Sequence, residues 1–146
     1  MKLPVKFVGS YEYPSYAPAK KGDAGFDLRT QIDFGLEPGE CKTIPTGLCM
    51  AIPMGLVGMV CSRSGLAAKH QIEVLGAPGI VDSGYRGEVC VTLKNHGNVA
   101  VSFRAGDRIA QILFVNHMMH QIDLKPVEEL EETDRGTGGF GSSGLR

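Results

Sequence analysis

Glycine and proline recur along the whole length of this chain, 20 and 8 of them in 146 residues, and they cut it into short runs rich in β-branched and apolar side chains. Such punctuation forbids long helices and spells many short strands joined by tight turns. The runs read as strands over Val5–Val8, Phe26–Arg29, Lys42–Ile44, Leu48–Ile52, Leu56–Cys61, Val89–Lys94, Val99–Phe103 and Ile109–Val115. Val99, Val101 and Phe103 alternate with Ala100 and Ser102, the period of a half-buried strand. Asn95–Asn98 and Ala105–Asp107 carry hairpin-turn residues. A single stretch, Ser64–Gln71, has helix formers in Leu66, Ala67, Ala68 and Lys69, enough for about two turns. The expected fold is all-β, a sandwich or jelly roll with one short helix.

Length suits one domain with a real core. A formal net charge of -1 gives no electrostatic footprint for nucleic acid. No segment reaches the roughly 18 to 20 apolar residues of a membrane span. Pro4 and a polar Tyr/Pro stretch occupy the place where a signal peptide needs an apolar run. Cys41, Cys49, Cys61 and Cys90 lie 8, 12 and 29 residues apart without a C-x-x-C, so they read as reduced core thiols in a cytoplasmic protein. His117 and His120 lack a second ligand pair and read as a solvated or packed pair.

The β domain is expected over residues 1–124. From Lys125 the chain turns acidic, Glu128 to Glu132, and then becomes Arg135-Gly136-Thr137-Gly138-Gly139-Phe140-Gly141-Ser142-Ser143-Gly144. Such a sequence cannot bury enough apolar surface to order itself. Residues 125–146 are therefore either a frayed tail or a flexible arm, and Arg135 with Phe140 would suit closure over a charged, planar ligand.

Other candidates are individually modest. Arg63-Ser64-Gly65 opens the short helix, where uncapped N–H groups and the dipole favour an anion; an ordinary Ser N-cap is the alternative. Asp82 follows an apolar run and precedes Ser83-Gly84, either capping a turn or serving as a base at a pocket mouth. Tyr85 would pack a sugar or cover core. Gln111 interrupts an apolar strand and points either outward or toward a ligand.

Their order is more telling. The segments Ala24-Gly25-Phe26-Asp27-Leu28, Arg63-Ser64-Gly65-Leu66-Ala67, Gly79-Ile80-Val81-Asp82-Ser83-Gly84-Tyr85-Arg86-Gly87, Gly106-Asp107-Arg108-Ile109-Ala110-Gln111 and the arm from Arg135 to Gly144 resemble, in sequence, the five motifs of the trimeric dUTPase family. The resemblance spans residues 3 to 144. It implies a jelly-roll subunit in a homotrimer with shared active sites: motifs one, two and four from one chain, three from another and five from the last. It further implies Mg²⁺-dependent hydrolysis of dUTP to dUMP and pyrophosphate by water attack on the α-phosphorus. By the same resemblance Asp82 orients and deprotonates that water, and Asp27 meets the metal indirectly, through its waters, or is structural. Arg63, Ser64, Gly65 and Gln111 hold phosphate, as do Arg135, Gly141, Ser142 and Ser143 from the arm. Tyr85 excludes a ribose 2′-hydroxyl, Phe140 stacks on the base, and the backbone of the hairpin through Gly76, Gly79 and Val81 reads uracil.

Two positions depart from the family pattern. Gly76 stands where many members have a base-contacting Asn, and Gly84 where a second Asp is common. Arg86 matches and is expected to brace its hairpin by an internal salt bridge. The nearest rival chemistry, dCTP deamination on a related fold, would need a catalytic Glu and no such arm. A non-catalytic interaction role belongs to a different class.

Overall fold

The structure, a computed structural model, describes residues 2–10, 12 and 20–139. One sheet orders β1 (Val5–Phe7), β4 (Cys41–Met50), β8 (Glu88–Asn95) and β6 (Ile72–Val74) as β1-β4-β8-β6. A second orders β2 (Gly25–Arg29), β10 (Arg108–Asn116), β5 (Leu56–Cys61) and β7 (Gly79–Val81) as β2-β10-β5-β7. A two-stranded sheet joins β3 (Phe34–Leu36) to β9 (Val101–Phe103). All pairings are antiparallel. With α1 (Ser64–His70) this is the jelly-roll-like β fold that the turn pattern predicts.

Period-two patterning builds the core. Along β8, Val89, Val91, Leu93 and Asn95 are buried while the residues between them face out. They meet Leu28, Ile44, Val60, Ile109 and Ile112 in one apolar cluster. Asn95 is the polar exception, fully buried and fully used. Its Nδ2 donates to the carbonyls of Leu36 at 3.0 Å and Val99 at 2.9 Å, and its Oδ1 accepts from Gly97 N–H. The Asn95 side chain thereby ties the end of β8 to β3 and to the following corner.

Several sequence expectations change. Lys42–Ile44 and Leu48–Ile52 are not separate strands: β4 runs unbroken from Cys41 to Met50. The Pro45-Thr46-Gly47 segment is absorbed as a register shift against β8, with Gly47 at a φ of 70°, so a bulge replaces the turn. Asn95–Asn98 and Ala105–Asp107 are turns but not hairpins, because β8, β9 and β10 lie in three different sheets. The segment from Val74 to Gly79 is likewise a crossover between sheets, containing a cis Ala77–Pro78 bond. The thiols are free, yet none is in the core: Cys41 and Cys90 are exposed and Cys49 and Cys61 half-buried. Their outward positions on the sheets override the usual preference of Cys for the interior. Local desolvation, and the nearby Glu88 and Cys49, raise the Cys90 thiol above its ordinary value. Among the described residues, no helix is long and apolar enough to cross a membrane.

Candidate active site

The site starts from a row across the second sheet. Asp27 on β2 pairs with Gln111 on β10, and Gln111 pairs with Cys61 on β5, so all three side chains leave the same face. β10 shifts register against β2 between Arg108 and Ala110. That bulge lets Ile109 and Ala110 both enter the core and returns Arg108, opposite Arg29, to the face that carries Asp27 and Gln111. Re-aiming a side chain is a common use of a bulge beside a site.

Asp27 is held by two guanidiniums. Its Oδ1 lies 3.2 Å from Arg63 Nε and its Oδ2 3.4 Å from Arg108 Nη1. Arg63 Nη1 in turn donates to the Arg108 carbonyl at 3.1 Å. Arg63 is the N-cap residue of α1 and Ser64 its first helical residue, so Ser64 does not cap the helix as its type suggests. The first amides the helix receives back belong to Leu66 and Ala67, leaving those of Ser64 and Gly65 for an incoming acceptor. A Cβ built on Gly65 would meet nothing within 4 Å, so this chain's own packing does not account for the glycine. Gln111 Nε2 donates to the Ser62 carbonyl at 3.0 Å, and the Ser62 hydroxyl accepts from Val74 N–H at 2.9 Å.

These groups surround an open cleft of about 550 Å³, within the range of small-ligand sites. Asp27, Arg63, Ser64, Gly65 and Gln111 line it together, with Lys20, Asp23 and Arg108 as additions that sequence reasoning missed. Only the position of Arg108 within the fourth motif hinted at its involvement. Three cations against two carboxylates make the cleft suited to an anion.

The remaining candidates lie elsewhere on the chain, and none of Gly76, Gly79, Asp82, Tyr85 or Arg135 lines this cleft. Asp82 is exposed just after β7, and its carbonyl accepts from Tyr85 N–H. Tyr85 is 47% exposed, its hydroxyl donating to the Glu88 carbonyl at 3.0 Å. Gly76 sits at a φ of 74° in the crossover, a conformation glycine adopts without strain. The Val81 side chain packs in the core, so only its backbone is available to a ligand. Arg86 braces its turn through the carbonyls of Ser83 and Tyr85 rather than by the expected salt bridge. Arg135 is exposed and bonds the carbonyl of Gly138 on its own arm. Phe140, Gly141, Ser142 and Ser143 lie outside the described residues.

A single chain thus presents an anion-suited cleft on one face and a separate loop bearing Asp82 and Tyr85. The dUTPase family model matches residues 12–144. The chain belongs to the dUTPase family. It is 50% identical over 127 residues to the deoxyuridine 5'-triphosphate nucleotidohydrolase of Nocardia farcinica, covering 86% of this chain and 76% of the relative. It superposes on the Staphylococcus bacteriophage 80alpha dUTPase with dUPNHPP at a TM-score of 0.88 and 31% identity, covering 99% of each chain. A mutant dUTPase from phage phi11 of S. aureus is similar at a TM-score of 0.80 and 26% identity, over 90% of this chain and 100% of that one; its structure is described as revealing the coordination of a structural Mg(II) ion. Membership in the dUTPase family accounts for the five segments that the sequence presents in order.

Proposed function

We propose that this protein hydrolyses dUTP to dUMP and pyrophosphate in a homotrimer whose active sites are shared between chains. The observation that carries the reading is the division of the site: one cleft gathers Asp27, Arg63, Ser64, Gly65 and Gln111, while Asp82 and Tyr85 stand apart from it. A second copy of the chain, bringing its Asp82 loop to this cleft, would complete the constellation.

The cleft's residues do the binding. Arg63, the Ser64 hydroxyl, the Gly65 amide and Gln111 grip the phosphates, and Arg108 and Lys20 add positive charge at the cleft wall. Arg135, Gly141, Ser142 and Ser143 from a further chain's arm cover the terminal phosphate. Fixing the chain of phosphates aligns the leaving pyrophosphate with the attacking water and spreads developing charge. Asp82 accepts a proton from that water as its oxygen bonds the α-phosphorus. The bond from that phosphorus to the bridging oxygen breaks, and pyrophosphate departs. No hydrogen bond or ion pair engages the Asp82 carboxylate among the described residues of its own chain, which leaves it available for this task.

Among the described residues, no group of three or more His, Cys, Asp or Glu could hold a metal. Mg²⁺ would be carried by the phosphates with its waters, as that ion commonly is beside substrate phosphates. Asp27 is the carboxylate that would accept from such waters, while its two guanidinium partners keep it in place. When bound, Mg²⁺ supplies charge neutralisation to the phosphates.

Tyr85 packs on the deoxyribose, Phe140 covers the base, and the backbone around Gly76, Gly79 and Val81 reads uracil. Deamination of dCTP is disfavoured because that chemistry needs a catalytic glutamate and no such arm, while this chain carries Asp82 and the Gly139-Phe140-Gly141 segment. The deciding experiment is pyrophosphate release from dUTP, UTP, dCTP and dTTP with and without Mg²⁺, beside the solution mass of the protein. Fast release from dUTP alone, dependent on Mg²⁺ and from a trimer, is expected. A stable monomer inert toward dUTP would refute the proposal.

A further inference from the structure

Gly25 opens β2 and pairs with Leu113, while its neighbour on the same face, Asp27, pairs with Gln111. The Gln111 side chain therefore leans along β2 across Gly25. A Cβ built on Gly25 would meet Gln111 Oε1 at 2.8 Å, its Cβ at 3.4 Å and its Cδ at 3.5 Å; these three nearest atoms all belong to one side chain. On its other side the same carboxamide donates from Nε2 to the Ser62 carbonyl at 3.0 Å. That acceptor fixes which end of the amide is nitrogen, since a carbonyl oxygen bonds only the NH₂. One N–H of Gln111 is thus spent on Ser62 and the second is left for a ligand oxygen. The carboxamide is wedged between the Ser62 carbonyl and the bare Cα of Gly25.

Gly25 is not among the residues with positive φ, so its backbone does not call for glycine. What the position requires is the absence of a Cβ. We infer that Gly25 is a positioning residue of the phosphate cleft: it leaves the space in which the Gln111 carboxamide is aimed. The inference rests on Gln111 being a phosphate-holding group, as proposed above.

Gly25→Ala would push the Gln111 oxygen from 2.8 Å to an ordinary contact, a shift of roughly half an ångström, and misplacements on the order of 1 Å at a reacting centre cost up to about 100-fold. The test is a double-mutant cycle in the full chain, with kcat/KM for dUTP and thermal melts of Gly25→Ala, Gln111→Ala and the pair. Gly25→Ala is expected to lower kcat/KM about tenfold, with its melting point kept. In the Gln111→Ala background the same change is expected to have no further effect, because the side chain it displaces is gone. Wild-type activity in Gly25→Ala, or an equal loss in both backgrounds, overturns the inference. Wild-type activity in Gln111→Ala overturns instead the reading of Gln111 on which it rests. Should Gly25→Ala alone fail to fold, the double variant must fold, since the closest atom the new Cβ meets, Gln111 Oε1, is then removed and the Cβ that alanine keeps lies at an ordinary contact of 3.4 Å; a double variant that stays unfolded also overturns the inference.

Discussion

Arg108 and Gln111 stand three positions apart on β10, yet both project from the face that carries Asp27, because the strand bulges between Arg108 and Ala110. A regular strand would send them to opposite faces. The bulge therefore adds a cation to the cleft while Ile109 and Ala110 both remain in the core. Arg108→Gln is expected to lower kcat/KM for dUTP about tenfold, less than the roughly 10²- to 10³-fold cost of losing a preorganised donor in a water-excluded site, because Arg108 is half-exposed. It should move stability by less than about 1 kcal/mol, since its pair with Asp27 is half-exposed. Steady-state kinetics beside a thermal melt measure both, and an unchanged kcat/KM would remove Arg108 from the cleft's working groups.

Asp82 is exposed at the end of β7 with its side chain unengaged among the described residues of its own chain. Asp82→Asn keeps the shape and removes the base. Turnover should fall about 10²- to 10⁴-fold, the usual worth of a positioned base, while dUTP affinity by calorimetry stays within a few-fold. Retained turnover would assign the proton transfer to another group.

The segment from Gln121 to Thr137 is exposed throughout, and Arg135 bonds only within its own arm among the interactions described. Ending the chain after Glu132 should leave the melting temperature within a few degrees, because little packing is lost. Hydrolysis should fall by at least about 100-fold if the arm completes a neighbouring site. Equal kinetics for the shortened and full chains would make the arm dispensable.

Asn95 satisfies three backbone groups from a fully buried position. Asn95→Ala leaves two carbonyls and one amide short of a partner, at about 1–3 kcal/mol for each that water cannot reach. A loss of roughly 2–4 kcal/mol in urea unfolding is expected, with activity of the folded fraction little changed. A loss below about 0.5 kcal/mol would mean that water replaces the side chain.

Periodicity and turn residues made the longer strands and α1 legible, since Val89, Val91 and Leu93 or Leu56 to Cys61 carry their burial in their own pattern. β3, β6 and β7 escaped notice because Phe34-Gly35-Leu36, Ile72-Glu73-Val74 and Gly79-Ile80-Val81 are three residues each, too short for a period to declare itself. Pro45 and Gly47 misled in the opposite sense: they have turn chemistry, but β8 lies beside them and a bulge costs less than abandoning the strand. Asn95–Asn98 was recognisable as a turn, but its partners were not, because local residues do not state which sheet the next strand joins. For the site, motif order named Asp27, Arg63, Ser64, Gly65 and Gln111, which do converge. Arg108 and Lys20 became visible only through the bulge and the cleft wall. On the proposed reading Asp82 and Tyr85 act at a neighbouring chain's cleft, a relation that the sequence of one chain does not spell out.

The placement of β10 has a consequence for biosynthesis. It is the last described strand to be made, yet it lies between β2 and β5. A ribosome-bound chain that has not yet released residue 116 holds β2 and β5 without their common neighbour, two open edges ready to pair with the wrong strand. Maturation of this sheet, and with it the alignment of positions 27, 61 and 111, must wait until residues 108–116 have left the ribosome.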